Sequence, residues 1–252
     1  MSSTINVLPE LVMKRIAAGE VIERPASAVK ELLENSLDAG GDDIILNVVD
    51  GGKALIQVID NGCGMSEEDA LICCHRHSTS KIVTEEDLTQ VQTMGFRGEA
   101  LASISSVARL EIITCRKNDS ESTHLFVEEG AISEVEKRAP AGGTTVTVKD
   151  IFYNVPARRK FLKTRGTELR HIMTAFRRIA IAHPEISFRL FVDDEKTLDL
   201  HQATVEKRIA DLISRERAAE LIEIKKEIAG VRLRGFVEIG RASCRERVCV
   251  GV

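Results

Sequence analysis

The chain has 252 residues, of which 43% are hydrophobic and 29% charged, and its formal net charge is −4. This is the composition of a globular protein long enough to bury a large core, and the charge argues against a surface coated throughout in basic residues. No apolar run reaches membrane-spanning length and residues 1–6 lack the character of a secretion signal, so a cytoplasmic location with no membrane partner is expected. The six cysteines include an adjacent pair, Cys73 and Cys74, and no metal-ligand spacing, which predicts isolated reduced thiols.

After a polar start, Leu8 to Ala17 is expected to form a short helix, set off by Ala18-Gly19 and Pro25 from a longer one. In that second helix Pro25 suits the first turn and Gly40 suits a left-handed cap. Val29, Leu32, Leu33, Ser36 and Leu37 fall on one stripe, while Glu31, Asn35 and Asp38 share the opposite side. Glu31 and Asn35, four apart, are surface neighbours. A carboxylate that can take a proton from water beside an amide oxygen that can face Mg²⁺ suits phosphate chemistry. A polar stripe opposite an apolar one is also what any solvated helix shows.

Asp43 to Asp50 and Lys53 to Asp60 alternate like strands and read as a hairpin turning at Gly51-Gly52. The second strand delivers Asp60 into Asn61-Gly62-Cys63-Gly64, whose glycines permit positive φ and close backbone approach. A buried aspartate there could accept from an exocyclic amine such as that of adenine; Asp-Asn-Gly is equally ordinary turn chemistry. Ser66 is expected to cap a helix running to Arg76, with Glu67, Glu68 and Asp69 in its first turn. The polar segment from His75 to Gly98 is predicted to be a loop, with Lys81 either facing phosphate or simply solvated. Gly95-Phe96-Arg97-Gly98 then precedes the helix-forming Glu99-Ala100-Leu101, and free amides at a helix start make a phosphate site. Gly142-Gly143-Thr144-Thr145 opens a strand to Lys149, and further strands are read over Val107–Cys115, His124–Glu128 and Ser187–Val192. Thr167 to Ala182 reads as a long helix in a strongly basic region that begins at Arg158-Arg159-Lys160. Strands in series with interspersed helices and no regular βαβ repeat predict an α+β fold, one sheet with helices on a face.

The order Glu-x-x-x-Asn, Asp-x-Gly-x-Gly, Gly-Phe-Arg-Gly-Glu-Ala-Leu and Gly-Thr resembles the GHKL ATPases, which include gyrase B, the ninety-kilodalton heat-shock chaperones and histidine kinases. Within that superfamily, Ile16-Ala-Ala-Gly-Glu-Val-Ile-Glu-Arg-Pro25, Glu34-Asn-Ser-Leu-Asp-Ala-Gly40, Arg76-His-Ser-Thr-Ser-Lys-Ile82 and Phe152-Tyr-Asn-Val-Pro-Ala-Arg-Arg-Lys-Phe161 resemble the MutL mismatch-repair family, from about Val7 to Val237.

The resemblance implies a GHKL (Bergerat) two-layer α/β sandwich over residues 1–202, followed at 203–238 by the opening of a domain like the second domain of ribosomal protein S five. It implies ATP and Mg²⁺ as cofactors, Glu31 as general base and Asn35 as metal ligand. The nucleotide would be held by Asn35, Asp38, Asp60, Gly62, Gly64, Thr79, Ser80, Lys81, Gly95, Phe96, Arg97, Gly98, Glu99, Ala100, Leu101, Gly143 and Thr144. It further implies a nucleotide-switched clamp that dimerises, as homodimer or heterodimer, through the N-terminal arm. Its partners would be DNA at Arg158, Arg159 and Lys160, a MutS-like mismatch-recognition protein, and a downstream repair endonuclease or helicase. Relatives use a lysine of the second domain against the γ-phosphate; the chain ends before such a position, so weak hydrolysis is expected. The rival readings are another GHKL enzyme, a topoisomerase subunit or histidine kinase, and a non-catalytic module that binds DNA or protein alike with and without ATP. Ile239 to Val248 resembles the translation of a sequencing adapter, so the native reading is expected to stop near Glu238.

Overall fold

The computed structural model describes residues 13, 18–19, 21–75, 78, 98–213, 220–228, 231–238 and 248–251. The predicted arm helix over Leu8 to Ala17 lies outside them apart from residue 13, and so does the predicted loop from His75 to Gly98 apart from residues 75, 78 and 98. Helix α1, Pro25–Asp38, starts on its proline and ends as its glycines dictate: Gly40 takes φ +72°, its amide donates to the Leu37 carbonyl, and Gly41 N reaches Ser36 O at 3.0 Å. Its buried face is Pro25, Ala26, Ala28, Val29, Leu32, Leu33 and Ser36. Leu37 packs partly buried at the edge of the core.

Strands β1, Asp43–Val49, and β2, Leu55–Asp60, form the expected antiparallel hairpin, closed by a 3-10 turn at Asp50–Gly52. Helix α2, Glu67–Ile72, is capped by Ser66, whose hydroxyl accepts from Asp69 N; it stops short of the predicted Arg76. Then follow α3, Ala100–Val107; β3, Arg109–Cys115; β4, Ser122–Glu128; β5, Ala131–Arg138; and β6, Gly143–Lys149. A short α4, Pro156–Phe161, leads into α5, Arg165–Ala182, and then β7, Ser187–Val192, and β8, Glu195–Leu200. These eight strands make one sheet in the order β5-β4-β3-β6-β2-β1-β7-β8. Only β1 and β7 pair in parallel among them.

One sheet face is dry. Ile44, Leu46, Val48, Ile56, Val58, Leu110, Ile112, Val146 and Val148 point under α1, α3 and α5 and bury a single core with Phe176 and Phe188. The opposite face carries a polar row in which Asn47 Nδ2 donates to Gln57 Oε1 and Gln57 Nε2 donates to Thr147 Oγ1. The GHKL two-layer arrangement expected from sequence is therefore present.

Helix α6, Val205–Ile213, falls where a second domain was expected to begin, yet it belongs with the first core. Leu212 joins the cluster under the sheet. Arg208, fully buried, donates to the carbonyls of Ala180, His183, Pro184, Ile186 and His201 at 2.6–3.2 Å. A boundary at residue 202 would cut through this staple. Beyond it β9, Leu221–Ile228, β10, Val231–Glu238, and β11, Val248–Gly251, make a separate antiparallel sheet. β11 lies beyond Glu238, near which the native reading was expected to stop. Cys63, Cys73, Cys74 and Cys115 form no disulfide.

Candidate nucleotide site

The site forms where the dry face of the sheet meets the C-terminal end of α1. Asp60 is the last residue of β2 and, by strand alternation, points to the helix side. Its neighbours across the ladder are Thr144 on β6 and, one strand further, Thr114 on β3. Asp60 is only 8% exposed. Its Oδ1 accepts from Gly62 N at 3.0 Å and Thr144 N at 3.3 Å; its Oδ2 accepts from Ser36 Oγ at 2.8 Å. Of about four acceptor positions on a carboxylate, these three occupy all but one.

Burial pushes the Asp60 carboxyl above the usual carboxylate range, while the donors from Ser36, Gly62 and Thr144 pull the other way. The protein thus holds an acceptor in a poorly hydrated place and leaves it one bond short. That is the electrostatic character of a site that reads a neutral donor such as an amine.

The loop after Asp60 is fixed on both sides. Cys63 N donates to Ala39 O at the end of α1, and Met65 N donates to Thr114 Oγ1. Asn61 Oδ1 accepts from the amides of Asp42 and Asp43, closing the turn into β1. Gly64 adopts φ +66°, and a Cβ there would stand 2.1 Å from the Cys115 carbonyl oxygen. At Gly62 a Cβ would meet Ala39 and Asp60 Oδ1, and at Gly143, φ +99°, the Asp60 carbonyl oxygen at 2.1 Å. The need for glycine at these positions therefore arises first from the protein's own backbone. Expected from sequence was close backbone approach to a ligand.

Along α1, Glu31, Asn35 and Asp38 lie half-buried on the side away from the core. Lys30 Nζ bonds Glu34 at 2.7 Å and stands 3.5 Å from Glu31. Burial lowers the Lys30 ammonium, but the carboxylates of Glu34 and Glu31 outweigh it and hold its affinity for the proton above normal. Glu34 takes the tight pairing, and Glu31 is left in the looser one.

Gly98 sits at φ +60° ahead of α3, whose first turn has no side-chain cap. The first helical amide with a backbone partner is that of Ser103, donating to Glu99 O. Ala100 and Leu101 thus begin a helix whose leading amides lack the usual serine or aspartate. Thr79, Ser80, Lys81, Gly95, Phe96 and Arg97 lie outside the described residues. The structure brings Asp60, Gly62, Gly143 and Thr144 into one hydrogen-bonded group, with Gly64 behind it.

Two residues bonded to that group escaped the sequence reading. Ser36 appeared as part of an apolar stripe, and Thr114 as one strand residue among others. The signal for Ser36 was a lone hydroxyl at a buried helix position, which needs a partner. Thr114 carried no local signal, because its contact with Thr144 Oγ1 at 3.0 Å exists only through sheet pairing.

Arg158, expected to face DNA, is used internally. Its guanidinium donates to Gly19 O at 2.6 Å and Ile22 O at 3.3 Å, with the Phe152 ring 6.0 Å away. A Cβ on Gly19 would stand 1.9 Å from the guanidinium carbon. Arg159 and Lys160, by contrast, are exposed and make no ion pair among the described residues.

The profile of the histidine kinase-, DNA gyrase B- and HSP90-like ATPases matches residues 22–151, the stretch holding α1, the Asp60 loop and β6. The fold and this match define the class: the chain carries an ATPase domain of that kind. It is 48% identical to the DNA mismatch repair protein MutL of Prosthecochloris aestuarii over 92% of its own length. It spans only 38% of that relative. The Aquifex aeolicus MutL ATPase domain complexed with ADP is 33% identical and superposes with a TM-score of 0.68, covering 88% of this chain and 80% of that one. The N-terminal domain of a DNA repair protein gives a TM-score of 0.76 at 28% identity, covering 92% and 74%. The chain belongs to the MutL family of DNA mismatch repair proteins.

Proposed function

We propose that the chain is the nucleotide-binding part of a mismatch-repair ATPase, in which ATP switches a dimeric clamp on DNA and so couples mismatch recognition to later repair steps. The observation that carries this reading is the buried Asp60 carboxylate with three internal donors and one acceptor position open. It lies at the end of the helix that bears Glu31 and Asn35.

The adenine amine would donate to Asp60, and Thr144 and Gly143 would border the base. The uncapped start of α3 would face the phosphates, together with residues 79–81 and 95–97. Asn35, a neutral oxygen ligand on the half-buried side of α1, would hold Mg²⁺, and the bound ion neutralises charge on the phosphates. Glu31 would accept the proton of the attacking water; its pairing with Lys30 is loose enough to leave a carboxylate oxygen for that task. Asp38, one turn beyond Asn35, would line the same edge.

ATP would act through differential affinity for open and dimerised states, with the N-terminal arm as the associating element. DNA would lie against Arg159 and Lys160. A mismatch-recognition protein of the MutS kind would act before the clamp, and a repair endonuclease or helicase after it. The cytoplasm or nucleoid is the proposed location. Among the described residues no helix is long and apolar enough to cross a membrane.

Calorimetric titration with a non-hydrolysable ATP analogue tests the site. The wild-type chain is expected to bind in a Mg²⁺-dependent manner, and Asp60→Asn is expected to weaken binding at least ~10-fold, the loss of one charge-assisted bond. Glu31→Ala should bind like wild type and lose its turnover of ATP. Equal binding by wild type and Asp60→Asn would overturn the assignment of the adenine contact.

A further inference from the structure

Cys73 and Cys74 follow directly on α2, and neither serves the nucleotide site described above. Cys73 takes helical backbone angles, φ −60° and ψ −23°, and His75 N donates to Ile72 O at 2.9 Å, so the turn that holds the pair stays wound. In that turn the two Sγ atoms stand 3.8 Å apart. Cys74 is 4% exposed and packs in the core, while Cys73 is half-buried and opens to solvent. The bond between the thiols draws Cys73 below the usual thiol range, against the opposing effect of burial. The same bond, joined by burial, pushes Cys74 up. One sulfur is prepared to attack, and the other keeps its proton until later.

The separation decides what the pair can hold. Adjacent Cα atoms lie about 3.8 Å apart, inside the usual lower limit of about 4.4 Å for a disulfide, and the sulfurs would have to close to about 2.05 Å. Two thiolates about 2.3 Å from one shared atom instead stand about 3.3–3.8 Å apart, for angles from about 90° to 110°. The Sγ atoms already meet the upper end of that range. A zinc-like metal ion would need further ligands, and no group of three metal-ligating side chains occurs among the described residues. The centre that fits asks for two soft sulfurs and brings its own third bond.

We propose that Cys73 and Cys74 form a dithiol site for trivalent arsenicals of the type R–As=O, which they bridge through the arsenic atom. The Cys73 sulfur adds to arsenic, and its proton passes to the oxygen, giving an arsenic-bound hydroxyl. The Cys74 sulfur then displaces that hydroxyl, which leaves as water with the second thiol proton. Two As–S bonds form, the oxygen departs, and arsenic stays trivalent, so no oxidant or reductant enters. A single thiol, such as the exposed Cys63 offers, stops at the first step.

Phenylarsine oxide is the probe, and intact-protein mass spectrometry of the folded chain reads the result. Wild type is expected to gain the mass of one phenylarsine oxide less one water, with the loss of two titratable thiols. A small dithiol should remove the adduct, and an equal concentration of a monothiol should not. Cys73→Ser and Cys74→Ala should each abolish the dehydrated adduct. Cys74 is buried, so thermal denaturation checks that variant; Cys73→Ser, at a half-buried position, carries the test if Cys74→Ala fails to fold. An adduct that keeps its oxygen would mean that one thiol acts alone, which overturns the proposal. So would a dehydrated adduct that survives in Cys73→Ser, since another pair among the six cysteines would then hold the arsenic. Capture by the denatured chain only would overturn it as well, because the folded turn would not admit the reagent.

Discussion

At the scale of single residues, the burial of Asp60 bears on stability. Its carboxyl is pushed up by burial, so the folded chain holds the Asp60 proton more tightly than the unfolded chain does. Stability from this group is then fully present below the unfolded value and lost as pH rises through the raised folded value. At neutral pH the carboxylate is a burden on the empty site. An asparagine would keep the acceptor for Gly62 N and Thr144 N and could donate to Ser36 Oγ, without the charge. Asp60→Asn is therefore expected to raise the Tm of the nucleotide-free chain at pH 7, with the gap closing as pH falls toward 4. Thermal melts across that range check it, and a Tm below wild type at pH 7 would mean the charge is better solvated than its burial indicates. That Asp60 stands buried at a strand end was legible in sequence because the strand ran into Asp-Asn-Gly. The reason for its glycines was not, because Cys115 and Ala39 approach them only through tertiary structure.

Among elements, two arginines act as fasteners. Arg208 gathers five carbonyls and fixes α6 beneath the sheet. Arg158 clasps the segment holding Gly19 and Ile22 to α4, which joins two family motifs that lie far apart in sequence. Gly19→Ala would evict the guanidinium, so it and Arg158→Ala should each lower unfolding stability by about 1–3 kcal/mol. The double variant should lose no more than the worse single one, as a double-mutant cycle in urea would show. Full additivity would mean that the two residues act apart.

The elements with a dry face, α1, β1, β2, β6 and β7, were legible because each alternates or carries an apolar stripe. β5 and β8 were missed. Both are edge strands, mostly exposed and charged, so neither shows the period of a half-buried strand. α5 begins two residues earlier than its sequence indicates, because Arg165 and Gly166 in the first turn read as loop. In α6, nothing local in Arg208 distinguishes a surface arginine from one buried under five carbonyls.

At the scale of the molecule, a chain with net charge −4 can still present a cationic face, since its acids are largely elsewhere. Binding there should fall steeply with salt. Arg159→Ala combined with Lys160→Ala should reduce the slope of log affinity against log salt by about 2 for duplex DNA. The corresponding Arg158→Ala change should leave the slope near wild type, because that guanidinium already serves two carbonyls. Anisotropy titrations at several salt concentrations separate the two, and equal slopes for all three would remove Arg159 and Lys160 from the interface.

The parallel pairing of β1 with β7 also sets a timetable for synthesis. Asp43 and Arg189, bonded at 2.6 Å across those strands, are 146 positions apart. A ribosome adding about 5–20 residues per second needs roughly 7–30 s to travel from one to the other. Through that interval β1 has emerged with one edge unpaired, while every described residue proposed for the nucleotide has already been made. A nascent chain halted ahead of β7 would present the outer edge of β1, open to chaperones and to pairing with its neighbours on the same message.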